Sequence, residues 1–180
     1  MVSTPSVVLG VASPRVIDVA NSFATFAANG VRAKPILIKE VLGANKGVLY
    51  QSRIETEQVF SEDVMADLNY ALGEVVRAGT ASSALRGFGR PAAGKTGTSQ
   101  QNASAWFTGY TPQLATSIAF FRDDATQSLN GIGGLTSVTG GSFPARIWNA
   151  YMKVALKGQD RKSTRLNSSH VSESRMPSSA

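Results

Sequence analysis

The residues best suited to chemistry lie together in Gly89 to Ser99, GRPAAGKTGTS. Two readings of the segment are open. It satisfies the phosphate-loop pattern, with Gly89, four intervening residues, then Gly94, Lys95 and Thr96. In such a loop glycine N–H groups cradle phosphates, the lysine reaches the terminal phosphates and the threonine holds magnesium. That geometry needs a buried strand before it and a helix after it. Ala81 to Phe88 (ASSALRGF) lacks the apolar run of a buried strand, Pro91 sits inside the loop, and Gly97-Thr98-Ser99 begins no helical stripe. The candidate acidic partner, Asp123, is displaced by Arg122. The second reading places Lys-Thr-Gly-Thr on a strand. A strand glycine marks a place where something approaches the backbone closely. Gly97 would bare the backbone there, Lys95 would be a fixed cation, and Thr96 and Thr98 would offer hydroxyls. A cation and hydroxyls converging on bare backbone suit a carboxylate and a developing oxyanion. The plain alternative is an exposed turn with a solvated lysine.

Composition removes other chemistries. There is no cysteine, which excludes disulfides, thiolate zinc sites, iron–sulfur clusters and cysteine nucleophiles. The single histidine, His170, lies near the end of a polar tail, so a Ser-His-Asp triad is not expected. No cofactor and no metal are expected. The formal charge of +6 invites a nucleic-acid reading. However, residues 1–159 carry 14 basic and 10 acidic side chains, scattered singly and not interleaved with aromatics. No nucleic-acid partner is therefore expected. The longest charge-free stretches, 96–121 and 125–145, are too polar for lipid, and no signal peptide is apparent.

The elements that must hold Lys95 read as alternating helix and strand. Ser13-Pro14 suits a helix start. Val16, Val19/Ala20, Phe23 and Phe26/Ala27 recur at helical spacing, and Asn29-Gly30 supplies a left-handed stop. Residues 35–41 and 48–51 read as a hairpin around Gly43–Gly47. A second helix opens at Ser61 with Glu62 and Asp63, shows an apolar row of Val64, Leu68, Ala71/Leu72 and Val75, and ends by Gly79. Ala105–Tyr110 and Leu114–Arg122 read as antiparallel strands around Thr111-Pro112-Gln113. Residues 125–141 form a Gly-rich loop. A last helix begins near Pro144, with Ile147/Trp148, Tyr151 and Val154/Ala155 on one face. Trp106 and Phe107 are expected in the core or at a site wall, and Arg122 and Arg146 in solvent or capping roles. Consecutive antiparallel strands with helices set apart predict an α+β architecture, an antiparallel sheet packed with helices.

Residues 160–180 differ from all that precede them, with seven serines and no aromatic residue among 21. Such a segment cannot bury enough surface to offset its ordering entropy and is expected to be disordered. DRKSTRLNSSH followed by SRMPSSA also resembles the in-frame translation of a sequencing-library adapter. On that reading His170 and two of the six surplus charges are not native.

AGKTGTSQQNASAWFTGYTPQL resembles the third motif region of the transpeptidase domain of class A penicillin-binding proteins. The resemblance extends upstream through STPSVVLGV and SPRVIDVANSFATFAANGVRAKP, and downstream through GGSFPARIWNAYMKVAL, over most of residues 3–156. It implies a partial serine β-lactamase/transpeptidase-like fold from an enzyme that cross-links peptidoglycan stem peptides and is acylated by β-lactams. It further implies that Lys95 is the motif lysine, supporting proton transfer and the local positive field. Thr96 and Thr98 match carboxylate-holding positions, Gly97 lies between them, and the Thr98 N–H matches an oxyanion-hole donor. Such enzymes also carry S-x-x-K and S-x-N before K-T-G. No serine here has a lysine three positions on, and Ser128-Leu129-Asn130 comes after K-T-G, so Ser128 reads as a loop residue.

Residues 1–159 are accordingly expected to be the C-terminal portion of a transpeptidase domain, catalytically inactive alone because covalent catalysis needs an activated nucleophile. In the intact parent, the resemblance implies a place on the extracytoplasmic face of the bacterial plasma membrane, held by an N-terminal anchor outside this chain. A nucleotide-binding protein using GRPAAGKT is the alternative function. A third possibility is a non-catalytic, marginally stable fold fragment that binds no ligand.

Overall fold

A computed structural model describes residues 12–159. The expectations for residues 3–11 and 160–180, including the adapter reading, lie outside the described residues. The element order is α1 (Val16–Ala27), β1 (Val31–Ala33), β2 (Glu40–Leu42), β3 (Val48–Gln51), β4 (Thr56–Gln58), α2 (Glu62–Arg77), β5 (Ala93–Thr98), β6 (Ser104–Thr111), β7 (Leu114–Phe121) and α3 (Phe143–Ala155).

The central element is the antiparallel sheet β5-β6-β7. Pro112-Gln113 closes β6 onto β7 with Thr111 opposite Leu114, and β5 runs beside β6 with Thr96 opposite Phe107 and Gly97 opposite Trp106. Strand alternation separates the two faces. On one, Phe107 packs with Trp148 and Met152 of α3, and with Ala81, Leu85 and Phe88 of the segment after α2. On the other, Ala93 and Tyr110 pack with Leu72 of α2 and Phe23 of α1. A third cluster joins Ala105 to Leu129 and Val138, so the Gly-rich loop folds against the sheet end that carries Thr98.

The helices begin and end largely as local chemistry predicts. Asn29 and Gly30 terminate α1 at φ +52° and +87°. A side chain at Gly30 would stand 2.3 Å from the Phe60 carbonyl, so glycine is required there by space as well as by backbone. The α1 start is displaced from expectation. Arg15, not Ser13, is the N-cap, and its guanidinium binds Asp18 at 2.8 and 3.0 Å. Asp18 sits in the first turn, where the helix dipole favours an anion. Ser61 occupies the N-cap position of α2 without a side-chain capping bond, with Glu62 and Asp63 in the first turn and Arg77 in the last.

In α2 most of the expected face is inward: Leu72 is buried, Leu68 and Val75 pack against the core, and Met65 and Asn69 join them, whereas Val64 is 53% exposed. The face of α3 is rotated from expectation. In α3 the buried row is Ala145, Trp148, Asn149 and Met152, whereas Ile147, Tyr151 and Val154 face outward. Apolar spacing leaves neighbouring rows, about 100° apart, as competing solutions. The sheet selects one of them, because Trp148 Nε1 donates to the Gly109 carbonyl at 3.1 Å and Met152 lies one turn further on.

The first hairpin is shorter than expected. Only Glu40–Leu42 pair with Val48–Gln51, with an irregularity between Val41 and Leu42, and residues 35–39 lie outside any strand. Its turn is held by Gly43 N–H to Gly47 O at 2.8 Å and by Asn45 Oδ1 accepting from Gly47 N–H at 3.1 Å. The β1–β4 pair has no counterpart in the expected elements. Three residues are too few to show alternation, and exposed charges flank the pairing. Arg32 meets Glu57 at 2.6 Å and Lys34 meets Glu55 at 3.1 Å.

Candidate active site

Strand β5 carries all four residues singled out by sequence, Lys95, Thr96, Gly97 and Thr98. It is an edge strand, hydrogen-bonded among the described elements only to β6. An edge strand offers a row of backbone donors and acceptors to an incoming extended chain. Lys95 is exposed, and its ammonium donates to the Thr96 carbonyl at 2.8 Å, so it lies along the strand.

The threonines are held from outside the sheet. Thr96 Oγ1 lies 2.7 Å from Thr80 Oγ1 in the turn after α2. Thr98 Oγ1 accepts the Gly140 N–H at 3.1 Å. The Gly140 turn is itself closed by Ser142, whose Oγ donates to the Thr139 carbonyl at 2.6 Å and accepts the Thr139 N–H at 2.9 Å. Its glycines are required by contact. A Cβ on Gly140 would fall 2.2 Å from the Trp106 carbonyl and 2.7–2.8 Å from Gly97 O and N, and one on Gly141 would fall 2.3 Å from the Thr80 carbonyl. The loop before α3 therefore presses directly on the backbone of β5 and β6.

The phosphate-loop geometry does not form. Gly94-Lys95-Thr96 lies within a strand, and the next element along the chain is a single 3-10 turn at Gln100–Asn102 rather than a long helix. Gly94 instead pairs with Gly109, and a Cβ on it would meet the Thr108 carbonyl at 2.7 Å and Phe107 Cζ at 2.9 Å. It is a packing position. Arg90, within the same pattern, donates to the Leu156 and Gln159 carbonyls at 2.7 and 3.0 Å, at the end of α3.

Ser128 lies in a loop, its hydroxyl accepting from Asn130 N–H at 3.0 Å while Arg122 donates to its carbonyl at 2.9 Å. The loop is tied to the β5–β6 connection by Asn102, which donates to Asn130 Oδ1 at 2.8 Å and to Ser137 at 2.9 Å. Phe107 is fully buried, whereas Trp106 is half-buried opposite Gly97. Below the strand, burial pushes the Tyr110 phenol well above its ordinary value, and its hydroxyl donates to Asn69 of α2. Among the described residues no group of three or more His, Asp or Glu side chains could hold a metal ion.

Thr80 and the Gly140–Gly141 turn were not found by sequence reasoning. The glycine doublet was visible as VTGGS, but nothing local links it to Thr98. Thr80 stands 16 residues from its partner with no spacing signature.

An antiparallel sheet packed with helices in an α+β layer is the architecture of the serine β-lactamase-like transpeptidase domains of penicillin-binding proteins. Residues 15–128 match the model of the penicillin-binding protein transpeptidase domain, and the chain belongs to that family. Penicillin-binding protein 1A of Mycolicibacterium smegmatis is 34% identical over 164 residues, covering 87% of this chain and 20% of that protein. The solved structure of penicillin-binding protein PonA1 from Mycobacterium tuberculosis aligns with a TM-score of 0.79 at 33% identity, over 88% of this chain and 43% of that one. A second structure of PonA1, in complex with penicillin V, aligns with a TM-score of 0.77 at 32% identity. The chain thus spans about a fifth of the length of the curated relatives it matches.

Proposed function

We propose that this chain supplies the carboxylate-binding and oxyanion half of a peptidoglycan D,D-transpeptidase site. The observation that carries the reading is the placement of Lys95, Thr96, Gly97 and Thr98 along the exposed edge of β5, with Thr98 tethered to Gly140. A stem peptide ending in a carboxylate lies along this edge, its anion near the Lys95 ammonium and accepting from the Thr96 and Thr98 hydroxyls. Gly97 adds no side chain to this edge, while the Gly140 turn packs against its backbone. The Thr98 N–H then donates to the oxyanion as the carbonyl becomes tetrahedral, an interaction of about 3 kcal/mol in comparable sites.

β-Lactams carry the same carboxylate beside a reactive carbonyl and occupy the same groove, and a PonA1 structure contains penicillin V. The nucleophile comes from a serine motif outside this sequence, since none of its serines has the required lysine. Alone, the chain binds but does not acylate. In its parent the site works on the outer face of the plasma membrane. No helix among the described residues is long and apolar enough to cross a membrane.

Two measurements test this. The purified chain should form no stable adduct with fluorescent penicillin, and labelling of a serine within 12–159 overturns the division of labour. Residues 12–159 should also replace the matching segment of the M. smegmatis relative with retention of labelling, and Lys95→Ala should lower that labelling at least tenfold. A folded graft that labels equally with and without Lys95 refutes the assigned site.

A further inference from the structure

Thr80 lies outside the Lys95–Thr98 segment, in the turn after α2, and its hydroxyl is 2.7 Å from that of Thr96. Resting on the carboxylate-site reading above, we propose that Thr80 is a positioning residue of that site, orienting the Thr96 hydroxyl as an outward donor. Each hydroxyl has one proton, and the contact between them uses one of the two. The pair therefore presents a single uncommitted O–H. A carboxylate accepts and cannot donate, so an anion at Thr96 selects the arrangement in which Thr80 donates to Thr96 and Thr96 donates to the anion. A donor that is itself an acceptor is polarised and strengthened.

The backbone holds Thr80 for this task. Gly79 N–H donates to the Glu74 carbonyl at 2.8 Å and Ala81 N–H to the Val75 carbonyl at 3.1 Å, so the turn is locked to the end of α2. From the other side Gly141 packs on the Thr80 carbonyl, where a Cβ would stand at 2.3 Å. The residue is clamped between α2 and the turn that also tethers Thr98 to Gly140. Thr80 is exposed, so water would satisfy its hydroxyl equally well in the absence of Thr96. The consequence of the pairing is direction rather than burial.

The test is an amide-resolved NMR titration of the full 180-residue chain with N-acetyl-D-alanyl-D-alanine, using its C-terminal amide as the uncharged control. The acid should perturb Thr96, Gly97 and Thr98 and the amide should do so much less. Thr80→Val should weaken binding of the acid roughly three- to tenfold, the range expected for the loss of one hydrogen bond between neutral groups. It should leave the amide unaffected, and Thr80→Ser should restore affinity. Thermal melts run in parallel, and Thr80→Ala carries the same comparison if the valine variant does not fold. The inference is overturned if Thr96→Val weakens the acid while the Thr80 variants bind like the unsubstituted chain. If the unsubstituted chain does not distinguish acid from amide, the carboxylate-site reading itself fails, and Thr80 with it.

Discussion

Trp148 reaches from α3 to donate its indole N–H to the Gly109 carbonyl at 3.1 Å, and a Cβ on Gly109 would stand 3.0 Å from that same indole. The glycine provides the acceptor and also the space the ring occupies. Phe88 and Phe107 close on the indole at centroid distances of 5.1 and 5.4 Å. Trp148→Ala should therefore cost about 3–5 kcal/mol in urea unfolding. Trp148→Phe keeps much of the bulk but loses the donor, and should cost roughly 1–3 kcal/mol. Gly109→Ala should fall in the same smaller range through overpacking. Equal stability of all three with the parent would refute this role for the α3 contact.

Tyr110 sets a pH dependence. Burial raises its phenol above its ordinary value, so the protonated form is favoured in the folded chain. In the unfolded chain it titrates near about 10. Stability is therefore complete below pH ~10 and falls as pH rises beyond it, because the unfolded state then releases the proton first. Tyr110→Phe should flatten this loss between about pH 10 and 11.5 relative to the parent. It should also cost about 1–3 kcal/mol at neutral pH by leaving Asn69 unpaired. Paired urea melts across that range measure both effects.

Asn102 combines a left-handed backbone at φ +55° with two side-chain bonds to the 130–137 loop. Asn102→Ala loses the bonds and strains the backbone, for about 2 kcal/mol. Asn102→Gly loses the bonds but relieves the strain, and should cost about half as much. The order of the two, read from melting temperatures, separates these contributions.

Gly140→Ala should be among the most disruptive single-methyl changes in the chain. The added carbon would contact the backbone of Trp106 and Gly97 and displace the Gly140 N–H from Thr98. A loss of about 1–3 kcal/mol is expected from overpacking. Amide exchange at Gly97 and Thr98 should accelerate more than exchange in α1. Uniform acceleration would show that the turn does not specifically support β5.

Much of this architecture was legible locally. Asn29-Gly30 marked the end of α1, and the acidic pair after Ser61 marked the start of α2. The paired apolar runs around Pro112-Gln113 announced β6 and β7, each from a few adjacent residues. The buried row of α3 was not legible, because Tyr151 and Met152 are equally plausible core residues until Trp148 finds Gly109. The GRPAAGKT pattern shows the same limit. Its glycines satisfy a phosphate-loop spacing, yet Gly94 is small because Phe107 and the Thr108 carbonyl leave no room.

The sequence by itself determined the α+β class, the main helices and the β6–β7 hairpin, and the likeness to a transpeptidase third motif. Those depend on local periodicity, on turn residues and on contiguous motifs. Only the tertiary structure decided that Thr80 meets Thr96, that Gly140 holds Thr98, and which helix rows face the sheet. Those depend on contacts between segments 16 to 42 residues apart, where close packing selects one arrangement from several that local spacing allows equally.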